Sequence, residues 1–386
     1  MNDYINQATE KFAQLLKKQI ERAQRLGEGE EFTDFSALDK IVIGIIPGDG
    51  IGPIILSEAE NILKFLLKDE IKSGRIELKK IEGLTIENRV KQLKSIPDDV
   101  MEEIKKCNVL LKGPTTTPSK GDGLPNLESA NVTMRRELDL FANVRPVKVP
   151  EKGIDWTFFR ENTEGSYAVG SQGINVTDDL AVDFCIHTTG GCERIARAAF
   201  EFAKNNGKKR VSAVTKANII KTTDGKFLDI CKEVAKDYPG ITLDSWYVDI
   251  MTANLINEDI RSSFEVFVLP NLYGDIITDE AAQIQGGVGT AGSSNLGKKY
   301  AMFEAIHGSA PRMVEEGIAE YANPSSILKA TEMLLMHIGF AKQAHLLGEA
   351  LTICADKEKK VVVTGTKEGA TAKEFAAYVM ETIEKL

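Results

Sequence analysis

The first 26 residues carry apolar side chains at helical spacing, with charged and amide residues between them. The apolar positions are Ile5, Ala8, Phe12, Leu15, Leu16, Ile20 and Ala23. This spacing predicts an amphipathic helix over residues 4–26 that ends at Gly27, followed by a polar linker over residues 27–31. The simplest interpretation has this helix packing on its own domain, and the alternative has it contributing to an oligomer contact.

From Lys40 onward, short β-branched runs alternate with helical stretches. Helices are predicted over residues 54–67 and 325–338, whereas residues 144–183 have a weak helical signal and are expected to form a β-rich layer. The alternation predicts an α/β fold with a largely parallel sheet, buried under helices on both faces. The strands are predicted over residues 41–46, 76–80, 109–112, 211–215, 264–270 and 361–364.

Composition and charge limit the classes of partner. The 386 residues suffice for two domains or one large one, and the 42% apolar and 27% charged content is that of an ordinary globular protein. No apolar run is long enough for a membrane span. The 48 basic and 57 acidic side chains give a net charge of −9, which opposes binding of nucleic acid or an anionic membrane. Any anionic ligand therefore needs a local basic pocket.

The cysteines and the N-terminus indicate a reducing compartment. The five cysteines have no paired C-x-x-C spacing, so we expect reduced, mostly buried thiols rather than a zinc site or a disulfide framework. The N-terminal stretch contains Asp3, Glu10 and Glu21 and has no apolar segment like that of a secretory signal. We therefore expect a cytoplasmic location.

Two glycine-rich matches to nucleotide-binding motifs fail on their context. Residues 287–292 match G-x-G-x-x-G, but they follow a helical pattern, and Arg312 stands where the ribose-binding acid is expected. Residues 292–298 match G-x-x-x-x-G-K, but Lys299 replaces the Ser or Thr that would hold magnesium. The sequence therefore excludes a Rossmann fingerprint and a P-loop.

Asp275 and Asp279 are candidate metal ligands. They follow a predicted strand, and their four-residue spacing on a helix projects both carboxylates from one face. Carboxylate oxygens without nearby His or Cys favour Mg²⁺ or Mn²⁺ over zinc. The alternative is that Asp275 caps the helix and Asp279 is an exposed acid of its first turn. The spacing leaves both interpretations open.

A second cluster is rich in arginine and in neutral hydrogen-bond donors. Its members are Ser129, Asn131, Arg135, Arg136, Arg145 and Arg160. Guanidinium groups bind carboxylates through two parallel hydrogen bonds, so this set suits a small polycarboxylate. The alternative, solvated arginines paired with Glu137 and Asp139, fits Arg136 better than it fits the whole set.

Six ordered motifs resemble the β-decarboxylating dehydrogenases, which include isocitrate, isopropylmalate, homoisocitrate and tartrate/malate-type enzymes. The likeness covers residues 41–386. The motifs are Ile-Pro-Gly-Asp-Gly-Ile-Gly-Pro at 46–53, Leu-Lys-Gly-Pro-Thr-Thr-Thr-Pro at 111–118, Arg-Glu-Asn-Thr-Glu-Gly at 160–165, Thr-Lys-Ala-Asn at 215–218, Asn-Leu-Tyr-Gly-Asp-Ile-Ile-Thr-Asp at 271–279 and Glu-Ala-Ile-His-Gly-Ser-Ala-Pro at 304–311.

The resemblance implies a non-Rossmann α/β fold of the isocitrate/isopropylmalate dehydrogenase type. Residues 41–140 and 287–386 would form the large, cofactor-binding domain, after an N-terminal helical extension and linker over residues 1–40. Residues 141–286 would form a smaller α/β domain with a dimer clasp at about residues 165–190. It also implies a homodimer whose active site is shared between the subunits.

The resemblance also implies roles for individual residues. Arg135, Arg145 and Arg160 would bind substrate carboxylates, and Tyr167 and the partner's Lys216 would act as acid and base. The metal would be held by Asp275 and Asp279 with Asp249 of the partner subunit. Ser129 and Asn131 resemble the isocitrate version of the pocket, since an isopropyl group favours a dry pocket and a carboxylate favours hydrogen-bond donors.

Cofactor choice depends on Arg312, because NAD-using relatives usually carry Asp there and NADP-using relatives carry a cation. The adjacent Met313 offers no hydrogen bond, so NAD stays the alternative. The remaining residues implied at the cofactor are Lys112, Thr116, Thr117, Glu304, His307, Gly308 and Asn323.

The expected reaction is metal-dependent oxidative decarboxylation of isocitrate to 2-oxoglutarate and CO₂ with NADP, a step of the tricarboxylic acid cycle. The alternatives are an NAD-dependent 3-isopropylmalate or homoisocitrate dehydrogenase and a non-catalytic regulatory subunit.

Overall fold

The protein is described by a computed structural model that covers residues 2–25, 31–118, 121–170, 172–287 and 291–386. The strands are β1 Ile41–Ile46, β2 Ile76–Lys80, β3 Val109–Lys112, β4 Ala142–Val149, β5 Ile154–Glu161, β6 Ile174–Thr177, β7 Leu180–Val182, β8 Arg210–Thr215, β9 Thr242–Tyr247, β10 Val266–Leu269, β11 Gly292–Leu296 and β12 Ala301–Ala305. The helices are α1 Asn2–Arg25, α2 Gly52–Leu66, α3 Lys68–Lys72, α4 Ile86–Gln92, α5 Asp98–Lys105, α6 Ala130–Glu137, α7 Thr189–Asn205, α8 Thr223–Ala235, α9 Val248–Ile256, α10 Asn271–Gln285, α11 Pro311–Glu315, α12 Ser325–His337, α13 Ala341–Leu351 and α14 Ala372–Ile383.

The chain divides into two compact units. The first contains residues 1–31 and 141–284, and the second contains residues 32–140 and 285–386. Helix α1 therefore belongs to the unit formed by the middle of the chain.

The first unit has five strands in the order β4-β5-β10-β8-β9. The β5-β10-β8-β9 part is parallel, and β4 pairs antiparallel with β5. Strands β6 and β7 form a separate two-stranded antiparallel sheet. The core is aromatic, with Trp156 edge-on to Phe158, and Phe158 stacked on Phe267 at 4.3 Å between ring centroids.

The second unit has five strands in the order β2-β1-β3-β12-β11, of which the first four are parallel and β11 is antiparallel. Strand β1 shows why the parallel strands are apolar along their whole length. Ile41, Ile43 and Ile45 pack into one hydrophobic cluster, and Ile46 packs into another on the opposite face. The α/β class and the largely parallel strand arrangement predicted from the sequence are confirmed.

Most predicted elements are present within a few residues of their expected ends. Helix α1 runs from Asn2 to Arg25, and its predicted end at Gly27 lies outside the described residues, as do residues 27–30 of the predicted linker. Helix α10 precedes the G-x-G-x-x-G match, which confirms that no strand leads into it, although residues 288–290 also lie outside the described part.

The predicted strand over residues 361–364 is wrong. Val361 and Val363 pack partly against the core while Val362 is exposed, which produces the period-two pattern of a strand. The segment nevertheless has no place in either sheet, because no neighbouring strand pairs with it among the described residues.

All five cysteines are free, and four of them are buried, as predicted, whereas Cys185 is exposed. Among the described residues, no helix is both long and apolar enough to cross a membrane.

Candidate active site

The candidate catalytic residues of the first unit follow the carboxyl ends of its parallel strands. Arg160 is the penultimate residue of β5, Lys216 follows β8, Asp249 opens α9 after β9, and Asp275 lies in α10 after β10. Carboxyl ends of parallel strands share one edge of a sheet, where open α/β sheets place their ligands. Residues far apart in the sequence are therefore brought to one edge of this unit.

Asp275 accepts hydrogen bonds from two candidate site residues. Arg160 Nη1 donates to Asp275 Oδ1 at 2.5 Å, and the Tyr167 hydroxyl donates to Asp275 Oδ2 at 2.9 Å. The Arg160 guanidinium carbon lies 5.5 Å from the Tyr167 ring centroid. The structure therefore brings together a predicted metal ligand, a predicted substrate-binding arginine and the predicted acid.

Asp279 binds the third residue of this cluster, Arg145. Arg145 Nη1 donates to Asp279 Oδ1 at 2.9 Å and to Thr278 Oγ1 at 2.6 Å, while Nη2 lies 3.7 Å from Asp275 Oδ1. Helix α10 begins at Asn271, so Asp275 is its fifth residue. The alternative in which Asp275 caps the helix is therefore wrong, because both acids lie inside the helix and share one face.

Lys216 and Asp249 form a separate pair. Lys216 Nζ donates to Asp249 Oδ1 at 2.6 Å, and this hydrogen bond lowers the pKa of the Asp249 carboxyl below its ordinary value. The backbone amide of Lys216 donates to Asp224, which fixes the segment that follows β8. The structure therefore brings the predicted base, Lys216, into contact with a predicted metal ligand, Asp249.

The acidic residues fit a hard divalent cation. Asp275 and Asp279 interact with the same Arg145 guanidinium, so their carboxylates lie close enough together to compensate one positive charge. Their oxygen chemistry suits Mg²⁺ or Mn²⁺. Within the described part of this single chain, no three His, Cys, Asp or Glu side chains form a cluster that could hold a metal. A third carboxylate would have to come from elsewhere.

In the second unit, three glycine-containing loops meet at the carboxyl ends of β1, β3 and β12. A Cβ on Gly50, whose φ is +59°, would lie 1.9 Å from the carbonyl oxygen of Ser309, and a Cβ on Gly113 would lie 2.1 Å from that of Pro47. Only glycine permits these approaches. The motifs at 46–53, 111–118 and 304–311 are therefore joined by direct backbone contact.

Buried polar side chains hold these loops in place. Asp49 accepts hydrogen bonds from the backbone amides of Ile86 and Thr116 at 2.8 and 2.7 Å. The Thr116 hydroxyl lies 2.8 Å from that of Ser309. Arg89 is fully buried and donates to three backbone carbonyls, including those of Thr116 and Glu128. Thr116 is thus fixed through its backbone and its side chain, whereas Thr117 is exposed.

Glu304 is the centre of the charge cluster of the second unit. It lies 3.5 Å from the fully buried ammonium group of Lys112 and accepts hydrogen bonds from Arg135 at 3.2 Å and Asn295 at 2.9 Å. Burial acts to raise the pKa of Glu304, but Lys112 and Arg135 outweigh it and lower the pKa. Burial lowers the pKa of Lys112. Two residues predicted at the cofactor are thereby joined to an arginine predicted to bind substrate.

Arg135 retains binding capacity toward an anion. Its Nε is buried and has no hydrogen-bond partner among the described residues, so this donor is available to bind an anion. Ser129 occupies the N-cap position of α6 but makes no side-chain capping bond. Asn131 accepts a hydrogen bond from Thr115 at 3.3 Å. These three residues are close in sequence, and each has a hydrogen-bonding group that could contact a polar substrate.

The loop that follows β12 carries several of the residues predicted at the cofactor. His307 Nδ1 lies 3.1 Å from the Gly308 carbonyl oxygen, while Nε2 is buried without a partner in the described part of the chain. Burial lowers the pKa of His307, which favours a neutral ring. An added Cβ on Gly308 would meet open space, and the Arg312 side chain is 86% exposed and paired with Glu316 at 2.6 Å. Asn323 accepts from the Ser325 amide at the start of α12.

Sequence reasoning missed several residues that support the site. Asn271 is the clearest case: its Oδ1 accepts two bonds from Arg160, and its Nδ2 donates to the Glu164 carbonyl. It stands in the quoted motif at 271–279, but only the fold reveals that strand β5 brings Arg160 to it. Asp49 stands in the quoted motif at 46–53, whereas Arg89 lies in a polar stretch of sequence that gives no sign of its burial.

Glu161 and Glu164 form a buried acidic pair beside Arg160. Glu161 Oε2 accepts from the backbone amides of Thr163 and Glu164 at 2.9 and 2.5 Å. Burial, and then the charge of Glu164, raise the pKa of Glu161 from its ordinary 4.5 to about 7. The charged form of Glu161 is therefore costly unless a cation compensates it.

The chain belongs to the isocitrate/isopropylmalate dehydrogenase family, whose model matches residues 42–379. The family and the relatives that match this chain indicate a decarboxylating dehydrogenase. The resemblance inferred from the six motifs is thereby confirmed.

Relatives with different substrates resemble this chain to a similar degree. An NADP isocitrate dehydrogenase of Rickettsia bellii is 40% identical over 363 residues, which cover 88% of this chain and 69% of that protein. A homoisocitrate dehydrogenase of Methanocaldococcus jannaschii is 36% identical over 82% of this chain and 90% of that protein. A 3-isopropylmalate dehydrogenase of Archaeoglobus fulgidus is 37% identical over 84% of this chain and 93% of that protein.

The chain is shorter than several of its relatives. Other Rickettsia NADP isocitrate dehydrogenases are 39–41% identical, and the chain spans only 62–63% of their length. A solved isocitrate dehydrogenase of Methylococcus capsulatus superposes with a TM-score of 0.77 at 32% identity and covers 89% of this chain and 99% of its own.

The Glu161–Glu164 pair predicts a pH-dependent stability. Between pH 4.5 and about 7 the folded protein holds a proton on Glu161 that the unfolded chain has released, so Glu161 costs stability as the pH rises through this window. Glu161→Gln should match the wild type near pH 5 and unfold with a free energy on the order of 2 kcal/mol higher near pH 8. Urea unfolding across this range measures the difference.

Glu82→Gln, at an exposed glutamate of the second unit, is the matched control and should follow the wild type at every pH. Parallel curves for the wild type and Glu161→Gln would contradict the prediction.

Proposed function

We propose that this protein catalyses the metal-dependent oxidative decarboxylation of isocitrate to 2-oxoglutarate and CO₂ with NADP as hydride acceptor. The observation that carries the proposal is the cluster of Arg145, Arg160 and Tyr167 around Asp275 and Asp279. It combines carboxylate-binding cations, a proton donor and two hard metal ligands in one unit. A decarboxylation of a polycarboxylic alcohol needs all three.

Substrate binding is assigned to the arginines. Arg145 and Arg160 are almost completely buried, and their charges are compensated by Asp275 and Asp279. A bound carboxylate would provide the same compensation through paired hydrogen bonds. Arg135, with its unpartnered Nε, would bind a further carboxylate, and Ser129 and Asn131 would donate to it.

The acid and base are Tyr167 and Lys216. When bound, a divalent cation held by the carboxylates supplies positive charge for the oxygen that becomes negative during loss of CO₂. Lys216 of the partner subunit removes the proton from the C2 hydroxyl. The Tyr167 hydroxyl then delivers its proton to C3, and the Arg160 charge beside the ring stabilises the phenolate that is left.

A homodimer with a shared active site is supported by exposed apolar residues beside the catalytic groups. Ile219 is 69% exposed three residues after Lys216, Ile250 follows Asp249, and Ile276 follows Asp275. Grouped apolar exposure of this kind marks protein interfaces. Dimerisation through these segments would bring the partner's Asp249 to complete the metal ligands.

A second candidate is supported by the similarity of relatives that are named for other substrates. The homoisocitrate and 3-isopropylmalate dehydrogenases are 36% and 37% identical to this chain, close to the 40% of the Rickettsia bellii isocitrate dehydrogenase. An NAD-dependent homoisocitrate or 3-isopropylmalate dehydrogenase is therefore the alternative. Ser129 and Asn131 favour a carboxylate over an isopropyl group, which argues against 3-isopropylmalate but does not separate isocitrate from homoisocitrate.

Initial rates with three substrates and two cofactors test the proposal directly. Isocitrate, homoisocitrate and 3-isopropylmalate are each supplied with NADP and with NAD, in the presence and absence of Mg²⁺. We expect isocitrate with NADP and Mg²⁺ to give the highest kcat/KM and chelation of the metal to abolish turnover. A higher kcat/KM with either other substrate would reject isocitrate and select the alternative.

Hybrid dimers test the shared site. Lys216→Met and Asp275→Asn are each expected to be inactive as homodimers. A heterodimer of the two has one site with both residues intact if Lys216 acts in the partner's site, so about half of the wild-type activity should return. Differently tagged, co-expressed and purified heterodimers provide the measurement.

The matched control pairs Lys216→Met with Asp249→Asn, because both would be contributed to the partner's site and no hybrid site would be complete. Recovery in this control, or none in the first hybrid, would refute the shared site.

Arg312 is expected to select NADP. Its exposed guanidinium pairs with Glu316, the residue that follows α11, and would bind a 2′-phosphate through charge-assisted hydrogen bonds. Arg312→Asp should raise the KM for NADP by on the order of 10- to 100-fold and leave the KM for NAD within about twofold. Steady-state kinetics with saturating substrate give both values, and equal changes in both would reject this role.

A further inference from the structure

Helix α1 lies outside the residues that the family model matches, yet it packs on the first unit. The family match begins at residue 42, and α1 ends at Arg25. Leu15 is buried in this contact, and Lys11 Nζ donates to the Gly173 carbonyl at 2.8 Å. Phe12 lies against Phe184 with 5.2 Å between ring centroids. The helix is therefore anchored at several points along its length.

Near the end of α1, Arg22 reaches into the loop that follows β5. Its Nη1 donates to Glu164 Oε1 at 3.0 Å, and its Nη2 donates to Thr163 Oγ1 at 2.9 Å. The Arg22 side chain is 16% exposed, and that of Glu164 is 1% exposed. This is a charge pair largely removed from water, where losing one partner leaves an uncompensated buried charge.

The loop that Arg22 contacts is built around the Glu161–Glu164 pair. The Thr163 hydroxyl donates to Glu161 Oε1 at 2.7 Å and also accepts from Arg194 at 2.9 Å. Glu164 accepts from the backbone amide and the hydroxyl of Thr188, at the start of α7. Arg22 and Arg194 are thus the cations that approach two buried carboxylates.

This loop connects directly to the candidate active site. The Glu164 carbonyl accepts a hydrogen bond from Asn271 Nδ2, and Asn271 Oδ1 accepts from Nε and Nη2 of Arg160 at 3.1 and 2.7 Å. Arg160 in turn donates to Asp275, which also accepts from Tyr167. Hydrogen bonds, linked through the residue Glu164 itself, therefore connect α1 to the candidate catalytic acid Tyr167.

We propose that Arg22 is a positioning residue, through which the N-terminal helix holds the 161–165 loop so that Asn271 orients Arg160 for substrate binding. The proposal rests on the proposed function in that Arg160 binds a substrate carboxylate. It gives the segment outside the family match a task in substrate binding.

The alternative is that Arg22 only adds stability, and the two roles differ in what they affect. A stabilising contact would lower the unfolding midpoint and leave the substrate KM unchanged. A positioning residue would change the KM for the substrate that Arg160 binds and not the KM for the cofactor. Helix α1 carries other basic residues besides Arg22, so the loss of one exposed lysine charge provides a matched control.

The test uses the full chain and four variants: Arg22→Met, Arg22→Lys, Glu164→Gln and the exposed-face control Lys18→Met. We expect Arg22→Met to lower kcat/KM for the preferred substrate on the order of 10- to 100-fold, mainly through KM, with the KM for NADP within about twofold. Arg22→Lys should recover part of the loss because it restores the charge without the two-pronged contact. Lys18→Met should behave as the wild type.

A double-mutant cycle tests the route through Glu164. Combined with Glu164→Gln, Arg22→Met should cost clearly less than it costs alone, because the carboxylate it compensates is gone. Independent effects of the two substitutions would overturn the route. If Arg22→Met does not fold, Arg22→Lys alone must still raise the substrate KM, and an unchanged KM would overturn the proposal.

Hydrogen exchange separates failure of this proposal from failure of the proposed function. The backbone amides of Thr163 and Glu164, which donate to Glu161, should exchange faster in Arg22→Met than in the wild type or Lys18→Met, whichever substrate is used. Unchanged exchange would overturn the positioning role even if isocitrate is turned over. Faster exchange without any isocitrate turnover would reject only the substrate assignment.

Discussion

Compensation of buried guanidinium groups by carboxylates is the interaction on which the candidate site depends. Arg145 and Arg160 are buried, and a buried cation without a counter-ion is several kcal/mol too costly to persist. Asp275 and Asp279 supply that counter-charge. Because the same acids are the candidate metal ligands, binding of two substrate carboxylates together with a dication would exchange one set of ion pairs for another and leave the local charge balanced. The buried charges of the site are therefore each compensated by a charge of opposite sign.

In the second unit the buried group that needs compensation is a carboxylate, and cations compensate it. Glu304 is a buried carboxylate with two neighbouring cations, Lys112 and Arg135, and an amide donor from Asn295. The excess of positive charge around one acid leaves Arg135 able to bind a further anion. In both units the functional side chains are fixed by one another rather than by solvent, so their geometry is set before any ligand arrives.

Sequence reasoning recovered the parts of the structure that depend on local pattern. The β-branched runs predicted strands β1, β2, β3, β8 and β10, and the four-residue spacing of Asp275 and Asp279 placed both acids on one face of α10. It failed at residues 361–364, where the strand-like alternation came from packing against a core without a pairing strand. It could not find the link from Arg22 through Glu164 to Asn271, because these residues are more than 100 positions apart and meet only through tertiary packing. Long-range pairs of this kind leave no periodicity.

The residues that would perform the chemistry and those that would choose the substrate stand on different units of the fold. Tyr167, Lys216 and the acids belong to the unit built from the middle of the chain, whereas Ser129 and Asn131 stand on α6 of the other unit. The hydrogen bonds from Tyr167 to Asp275 and from Lys216 to Asp249 lie within the first unit, so substitutions on α6 would leave them in place. Under the proposed roles, the choice of substrate would therefore change independently of proton transfer.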